Sequence, residues 1–209
     1  MKAIQVSKFG SSEEVLELKN VPEPDLNSDQ VLIKVKTTGV NFADIMSREG
    51  RFGRQVPFIP GMDAAGVIEK VGENVKNFYV GQRVIVFTSS GSYAEKAVAD
   101  AALTFPIPET MDFDTAGALL VIGTTAYNIV HNVAKVKKGD SVLIHAAAGG
   151  VGSLAVQLAK LQGASKIFGT VGRNEKRNVV KELGADVVIN YNKENFAETI
   201  NRLTEGKGV

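Results

Sequence analysis

The stretch from Lys138 to Gly172 constrains the fold of this chain more than any other. It opens with a short apolar run, Ser141 to His145, which is typical of a buried parallel strand. The sequence AAGGVG follows at residues 147–152, and its glycines let the backbone turn sharply and let an anion approach unpaired N–H groups. The pattern therefore predicts a strand that leads through a glycine turn into a helix.

A helix and a second strand are predicted beyond the glycines. Apolar residues recur at helical spacing from Val151 to Leu161, Gly163 is expected to cap that helix, and Ile167 to Val171 forms the next strand. This order of elements binds the diphosphate of a dinucleotide at the glycine turn. The residues predicted to hold it are Gly149, Gly150, Val151 and Gly152. A glycine-rich turn without a ligand stays open as an alternative, because Ala147 replaces the first glycine of Gly-x-Gly-x-x-Gly.

The end of the second strand indicates which nucleotide is bound. An acidic residue there would bind the ribose hydroxyls of NAD and repel a 2′-phosphate, but this chain has Gly172 and Arg173. Lys176 and Arg177 add positive charge close by. The pattern therefore favours NADPH. The alternative is that these basic residues form the solvated face of a helix, where the negative charge of Glu175 partly offsets theirs.

The first 120 or so residues have a different character. Short β-like runs alternate with clusters of Gly, Pro, Asn and Asp, which predicts a compact, mostly antiparallel domain. Those runs are Lys2–Val6, Val31–Lys36, Ala65–Val71 and Arg83–Val86. Residues from Asn41 up to Gly50 have helical potential. The helical segment from Met111 to Val133, broken by Gly123, is expected to bridge two domains.

The α/β alternation continues after Gly172. A helix is predicted at Glu175–Leu183, a strand at Val187–Ile189 and a helix at Phe196–Leu203. A doubly wound dinucleotide fold has two βαβαβ halves, and the chain supplies strands for one of them. We expect either a fragment or a naturally abbreviated form.

Composition excludes several classes of function. Lys and Arg total 24 against 23 Asp and Glu, so no overall charge favours nucleic acid as a partner. The chain has no cysteine and two histidines, His131 and His145, and no metal site is predicted. For both histidines a packing or surface role is favoured over that of a catalytic base. No secretory signal and no apolar run long enough to span a bilayer are visible, so we expect a cytoplasmic protein without an integral membrane segment.

Several motifs occur in one order that resembles the zinc-free medium-chain dehydrogenase/reductase superfamily. They are Asn41-Phe42-Ala43-Asp44, residues 60–68 (PGMDAAGVI), Gly81-Gln82-Arg83-Val84 and the glycine turn. Within it the chain is similar to the quinone oxidoreductase and zeta-crystallin group, and especially to the vesicle amine transport protein homologues. The resemblance implies an α/β fold, with a GroES-like β-barrel domain for substrate and catalysis at 1–122 and the first half of a Rossmann NADP-binding domain at 123–209. It also implies an active site in the cleft between the domains.

The resemblance implies roles for single residues. Asn41 and Asp44 match the family's Asn-x-x-Asp motif near the nicotinamide, where Asn41 would bind the cofactor or a substrate oxygen. For Asp44, a capping role is the alternative to direct catalysis. Lys176 and Tyr191 match adenosine-phosphate contacts. Thr124 and Thr125 match the segment that passes the nicotinamide. The alternative is that they only relieve a kink in the helix.

The activity implied by the resemblance is hydride transfer from NADPH to a quinone or an activated alkene. Relatives commonly carry tyrosines where this chain has Met46 and Phe52, so proton delivery here would rely on water. The alternative is a weakly active or inactive nucleotide-binding protein associated with vesicles, peripherally rather than through a membrane span. A homodimer is implied for a full-length form.

Overall fold

The computed structural model describes residues 1–88 and 91–209. The chain divides into two compact units, Met1–Val121 and Ile122–Val209. Sequence patterns placed the domain boundary one residue later, after Ile122, and the roles assigned to the two domains stay predictions. No helix in the described part of the chain is both long and apolar enough to cross a membrane.

The first unit is built on antiparallel strands, as the sequence predicts. Its strands are β1 (Lys2–Val6), β2 (Leu16–Asn20), β3 (Gln30–Thr38), β4 (Asp63–Val71), β5 (Arg83–Phe87), β6 (Lys96–Asp100) and β7 (Thr104–Pro106). One sheet has the order β6-β3-β4-β5-β7, and β1 pairs with β2 separately. In β3 the register shifts twice, which bends the strand over its core. The sequence patterns missed β2, β6 and β7.

The core of the first unit lies under β3, β4 and β5. It contains Val31, Ile33, Ile68, Val84 and Val86. All of these are completely or almost completely buried. Burying a Val or Ile side chain contributes about 1.5–3 kcal/mol, so this cluster holds the sheet that carries the polar residues described below.

The helices of the first unit are short. They are α1 (Ser12–Val15), α2 (Phe42–Arg48) and α3 (Phe113–Gly117), with a 3₁₀ turn at Ala101–Leu103. The helix α4 (Leu120–Tyr127) contains the division between the units, and a π-helix follows at Asn128–Val133.

The predicted break at Gly123 is wrong, because Gly123 lies inside α4. The interruption falls instead at Ala118 and Leu119, where the Leu119 N–H donates to Ala116 O at 3.0 Å and tightens the end of α3. A single glycine costs a helix only about 1 kcal/mol, which packing easily offsets.

The second unit is a parallel α/β layer. Its strands are β8 (Ser141–Ile144), β9 (Lys166–Val171) and β10 (Val187–Asn190), and its helices are α5 (Gly150–Leu161), α6 (Arg177–Glu182) and α7 (Phe196–Leu203). The sheet order β10-β9-β8 is that of the first half of a Rossmann sheet, as predicted. The predicted helix at Glu175–Leu183 begins as a 3₁₀ turn at Asn174–Lys176 before it continues as α6.

Helices cover both faces of this sheet. Val156 and Ala159 of α5 pack with Ile167 and Val188, while Phe168 and Ile189 pack against Ile200 of α7. Adjacent residues of β9 thus face opposite layers, as the period of two in a strand requires. The strand is buried along almost its whole length, so β9 is the centre of the unit.

Gly163 ends α5 as predicted, and Gly184 ends α6 in a similar way. Gly163 has φ +82° after α5, and Gly184 has φ +121° after α6. At Gly163 the N–H groups of Gly163 and Ala164 bond to Lys160 O at 2.9 Å and Ala159 O at 3.1 Å, which is a Schellman cap.

Candidate functional site

The glycine turn joins β8 to α5 at the carboxyl edge of the sheet. Gly149 is the N-cap of α5, and the backbone N–H of Ser153 donates to Gly149 O at 2.8 Å. The N–H groups of Gly150, Val151 and Gly152 come before the first bond of the helical ladder and have no partner within it. These groups point out of the positive end of the helix, where an anion is favoured.

Gly152 allows the helix to approach the turn closely. A Cβ at Gly152 would lie 2.3 Å from Ala146 O and 2.9 Å from the Cα of Ala147, both backbone atoms. Ala146 itself has φ +50°, a left-handed conformation that costs a residue with a side chain about 1–2 kcal/mol. The turn is therefore tight and held in one shape.

Ala147, which replaces the first glycine of the motif, is compatible with this geometry. It is fully buried, and its N–H donates to Thr170 O at 2.9 Å. A Cβ at Gly169 would lie 3.0 Å from the Ala147 Cβ. The glycine at position 169 of the neighbouring strand therefore leaves room for the Ala147 methyl group. The departure from the motif keeps the turn packed on β9.

A second loop follows β9 at the same edge of the sheet. Arg173 and Lys176 are exposed, and neither has an ion-pair partner in the described part of the chain. Arg177, by contrast, forms a salt bridge with Glu194 at 2.9 Å. Positive charge is therefore available from Arg173 and Lys176 more than from Arg177.

Tyr191 occupies the space above Gly172. A Cβ at Gly172 would lie 2.6 Å from the Tyr191 hydroxyl, so a side chain at this position would collide with the ring. Tyr191 itself is about half exposed, at 52%. Gly172, predicted from the strand end, and Tyr191, predicted from the resemblance, therefore lie close together beside Arg173.

Side-chain amides tie the two loops of this edge together. Asn190 Nδ2 donates to Asn174 Oδ1 at 2.7 Å, and the Asn192 backbone N–H donates to Asn190 Oδ1 at 3.0 Å. Asn192 Nδ2 in turn donates to Gly172 O at 2.8 Å. The amides fix the ends of β9 and β10, and sequence reasoning assigned them no role.

In the first unit, Asn41 and Asp44 lie at the start of α2. They form a capping box, in which the Asn41 backbone N–H donates to Asp44 Oδ2 at 2.9 Å. Asp44 also accepts from Gly61 N–H at 3.2 Å and from the Tyr93 hydroxyl at 3.2 Å. Asp44 is buried, and its donors favour the capping alternative over direct catalysis.

Asp63 is a buried acid that sequence reasoning left without a role. It is 1% exposed, and its carboxylate accepts from Asn41 Nδ2 at 2.8 Å and from Val121 N–H at 3.0 Å. Burial raises the pKa of Asp63 above its usual range, and the charge of Asp44 adds to that increase. Desolvation also raises the pKa of Tyr93, again with a contribution from Asp44. These groups form one polar cluster beneath α2.

The remaining candidates all lie in the second unit. Thr124 and Thr125 lie within α4, directly after Gly123. His131 stacks on Tyr127 with ring centroids 4.1 Å apart, and His145 contacts Thr170 Oγ1 and the Phe196 ring. These contacts agree with the packing or surface role favoured from sequence, and His145 is exposed.

The polar residues do not form a metal centre. No group of three metal-ligating side chains occurs among residues 1–88 and 91–209. Asp44 and Asp63 are instead satisfied by N–H and O–H donors.

Comparisons with known proteins match both units. Residues 27–109 match the alcohol dehydrogenase GroES-like domain, and residues 150–209 match the zinc-binding dehydrogenase family. Over the whole length of this chain, 40% of the residues are identical to those of the quinone oxidoreductase of Rattus norvegicus. Over its whole length the chain is therefore similar to the quinone oxidoreductase family of medium-chain dehydrogenases/reductases.

Two more proteins of known name show the same similarity. The Escherichia coli quinone oxidoreductase, solved in complex with NADPH, is 33% identical and superposes with a TM-score of 0.95 over 99% of this chain and 64% of its own. The rat synaptic vesicle membrane protein VAT-1 homolog is 37% identical over the whole chain and 52% of its own length. The chain spans 64% of the length of the rat quinone oxidoreductase. The fold is that of the family, a GroES-like domain followed by part of a Rossmann domain.

Proposed function

We propose that this protein is a zinc-independent NADPH-dependent oxidoreductase that reduces a quinone or an activated alkene. The observation that carries the proposal is the exposed pair Arg173 and Lys176 beside Gly172, at the sheet edge that also holds the glycine turn. Positive charge and the absence of an acid at this position favour a 2′-phosphate. Relatives whose names describe quinone oxidoreductases, one of them solved with NADPH, support the same assignment.

The residues of the second unit fit the cofactor. The N–H groups of Gly150, Val151 and Gly152 would hold the diphosphate, with Gly149 turning the chain toward it. Arg173 and Lys176 would pair with the 2′-phosphate. Tyr191 and Gly172 would border the adenosine, and Thr124 would lie along the nicotinamide, as in the family.

The bound cofactor supplies a hydride, that is, two electrons and one proton, from its nicotinamide ring. Asn41 would donate a hydrogen bond to the oxygen on which negative charge develops, and it would do so from a preorganised position. Met46 and Phe52 have no hydroxyl group, so water would supply the proton that completes the hydroquinone. A quinone suits this site, because its anionic product is stable enough to await that proton.

Substitution of the basic pair tests the proposal. We expect Arg173→Ala with Lys176→Ala to raise the Kd for NADPH by at least about 100-fold, because two charge-assisted hydrogen bonds are lost and each contributes about 1.5–3 kcal/mol. Binding of NADH, which lacks the 2′-phosphate, should stay within about twofold. The matched control is Lys181→Ala, an exposed lysine of α6. Equal loss for both nucleotides, or equal loss in the control, would contradict the assignment.

A second candidate is a nucleotide-binding protein with little or no turnover that associates with vesicles. Its support is the similarity to the VAT-1 homolog and the absence of hydroxyl groups at Met46 and Phe52. Steady-state oxidation of NADPH by phenanthrenequinone separates the two candidates. Turnover well above the rate without protein favours the enzyme, whereas tight binding of NADPH without turnover favours the second candidate.

The remaining assignments follow from the family. Residues 1–122 would carry catalysis and substrate, and residues 123–209 would bind NADP. We also propose a cytoplasmic location and, for a full-length form, a homodimer.

A further inference from the structure

The orientation of the Asn41 side chain is restricted on two sides. The carboxamide has one acceptor oxygen and two N–H donors on a planar group. In the capping box the Asn41 side chain faces the backbone N–H of Asp44, and on the other side Nδ2 donates to Asp63 Oδ1 at 2.8 Å. Within the described residues Nδ2 has no second acceptor. The second N–H of Asn41 Nδ2 therefore points in a fixed direction and is available to another acceptor.

The restriction depends on Asp63 being a carboxylate. An ionised carboxylate accepts hydrogen bonds and cannot donate them, so it binds the NH₂ end of the carboxamide and rejects the oxygen. Its second oxygen is held by Val121 N–H at 3.0 Å, and this bond prevents the carboxylate from rotating away. Gly39 leaves room for it, since a Cβ there would lie 2.4 Å from Asp63 Oδ1. The site is built around the carboxylate from three separate parts of the chain.

We propose that Asp63 is a positioning residue that fixes the Asn41 carboxamide so that its remaining N–H faces the oxygen of the bound substrate or cofactor. The proposal rests on the function proposed above, because Asn41 is assigned there to that oxygen. Asp63 acts only through Asn41 and touches neither reactant. The hydrogen bond removes the flipped orientation, which would present an oxygen to the developing negative charge.

Asp63→Asn is the sharpest substitution. Asn41 Nδ2 and Val121 N–H donate to different oxygens of Asp63, and a carboxamide replaces one of these oxygens with an NH₂ donor, so one of the two bonds is lost. We expect the Asn41 side-chain NH₂ protons, identified by their loss in Asn41→Ala, to exchange with solvent at least about tenfold faster in D63N. Asp25→Asn, an exposed acid of the same unit, is the matched control and should leave that exchange unchanged. Unchanged protection of Asn41 in folded D63N would overturn the proposal.

Kinetics then distinguish positioning from a general effect on stability. We expect D63N to lower kcat/KM for phenanthrenequinone reduction with NADPH by about 10- to 100-fold when Asn41 is present. In the Asn41→Ala background the same substitution should change kcat/KM by less than about twofold. Equal effects in both backgrounds would overturn the proposal.

Two further measurements keep the outcomes distinct. If D63N does not fold, Asp63→Ser replaces it in the comparison of the two backgrounds, with and without Asn41. A coupling across the hydrogen bond between Asn41 Nδ2 and the Asp63 carboxylate is also expected in the unsubstituted protein, and its absence would contradict the proposal directly. If the unsubstituted chain shows no turnover of the quinone, the proposed function fails and the ligand-facing role of Asn41 fails with it. The exchange and coupling data still show separately whether Asp63 holds Asn41.

Discussion

Gly152→Ala should destabilise the second unit through a single steric conflict. The added methyl group would lie 2.3 Å from Ala146 O, where ordinary contacts are 3.4–4 Å, so backbone atoms must separate by about 1 Å. Overpacking of this kind costs about 1–3 kcal/mol. The gain in helix propensity from Gly to Ala offsets at most about 1 kcal/mol of that cost. Because the clash is with backbone atoms, the cost should lie at the upper end of that range, about 2–3 kcal/mol, and the net loss in the free energy of unfolding should be about 1–2 kcal/mol.

Urea unfolding followed by the amide NMR resonances of α5 measures this loss for the second unit alone. The matched control is Gly150→Ala, two residues away in the same helix. The nearest atoms to a Cβ there belong to the Ile122 side chain, at 3.2 Å, and that side chain can shift. G150A should be neutral or slightly stabilising. Equal midpoints for G152A and G150A would refute the argument that the turn needs glycine for the close approach of α5.

Three more predictions concern stability. Because burial raises the pKa of Asp63 above its ordinary 3.8, the native state holds this proton more tightly than the unfolded chain. The stability of the unsubstituted protein relative to D63N should therefore fall as pH rises from below 3.8 through the raised pKa. A difference between the urea midpoints of the two proteins that stays constant over this pH range would contradict the prediction. Asn195→Ala removes the N-cap that accepts from the N–H groups of Ala197 and Glu198, and should cost about 1 kcal/mol in unfolding. Tyr93→Phe removes a donor from the buried carboxylate Asp44 and should cost about 1–3 kcal/mol, measured in the same way.

Local patterns predict the second unit well. The limits of α7, Phe196 to Leu203, follow from apolar spacing alone, and Gly163 identifies the end of α5 because a left-handed residue is needed there. These features depend on residues close together in the chain. The same holds for the glycine turn, whose tight geometry involves Ala146, Ala147 and Gly152.

The polar cluster of the first unit could not be predicted in this way. Asp63 acquires its partners across 22 residues to Asn41 and 58 residues to Val121. A single acid before an apolar strand gives no signal of such contacts. The π-helix at Asn128–Val133 was likewise unpredictable, since its hydrogen bonds are set by packing rather than by residue type.

Fluorescence titration with NADPH tests the central claim most directly. A protein that holds the diphosphate at the glycine turn and the 2′-phosphate at Arg173 and Lys176 should give a saturable change at micromolar NADPH, as is usual for such enzymes. NADP⁺ should compete, and NADH should bind more weakly. A change that does not saturate up to millimolar NADPH, or equal affinity for NADH, would contradict the account.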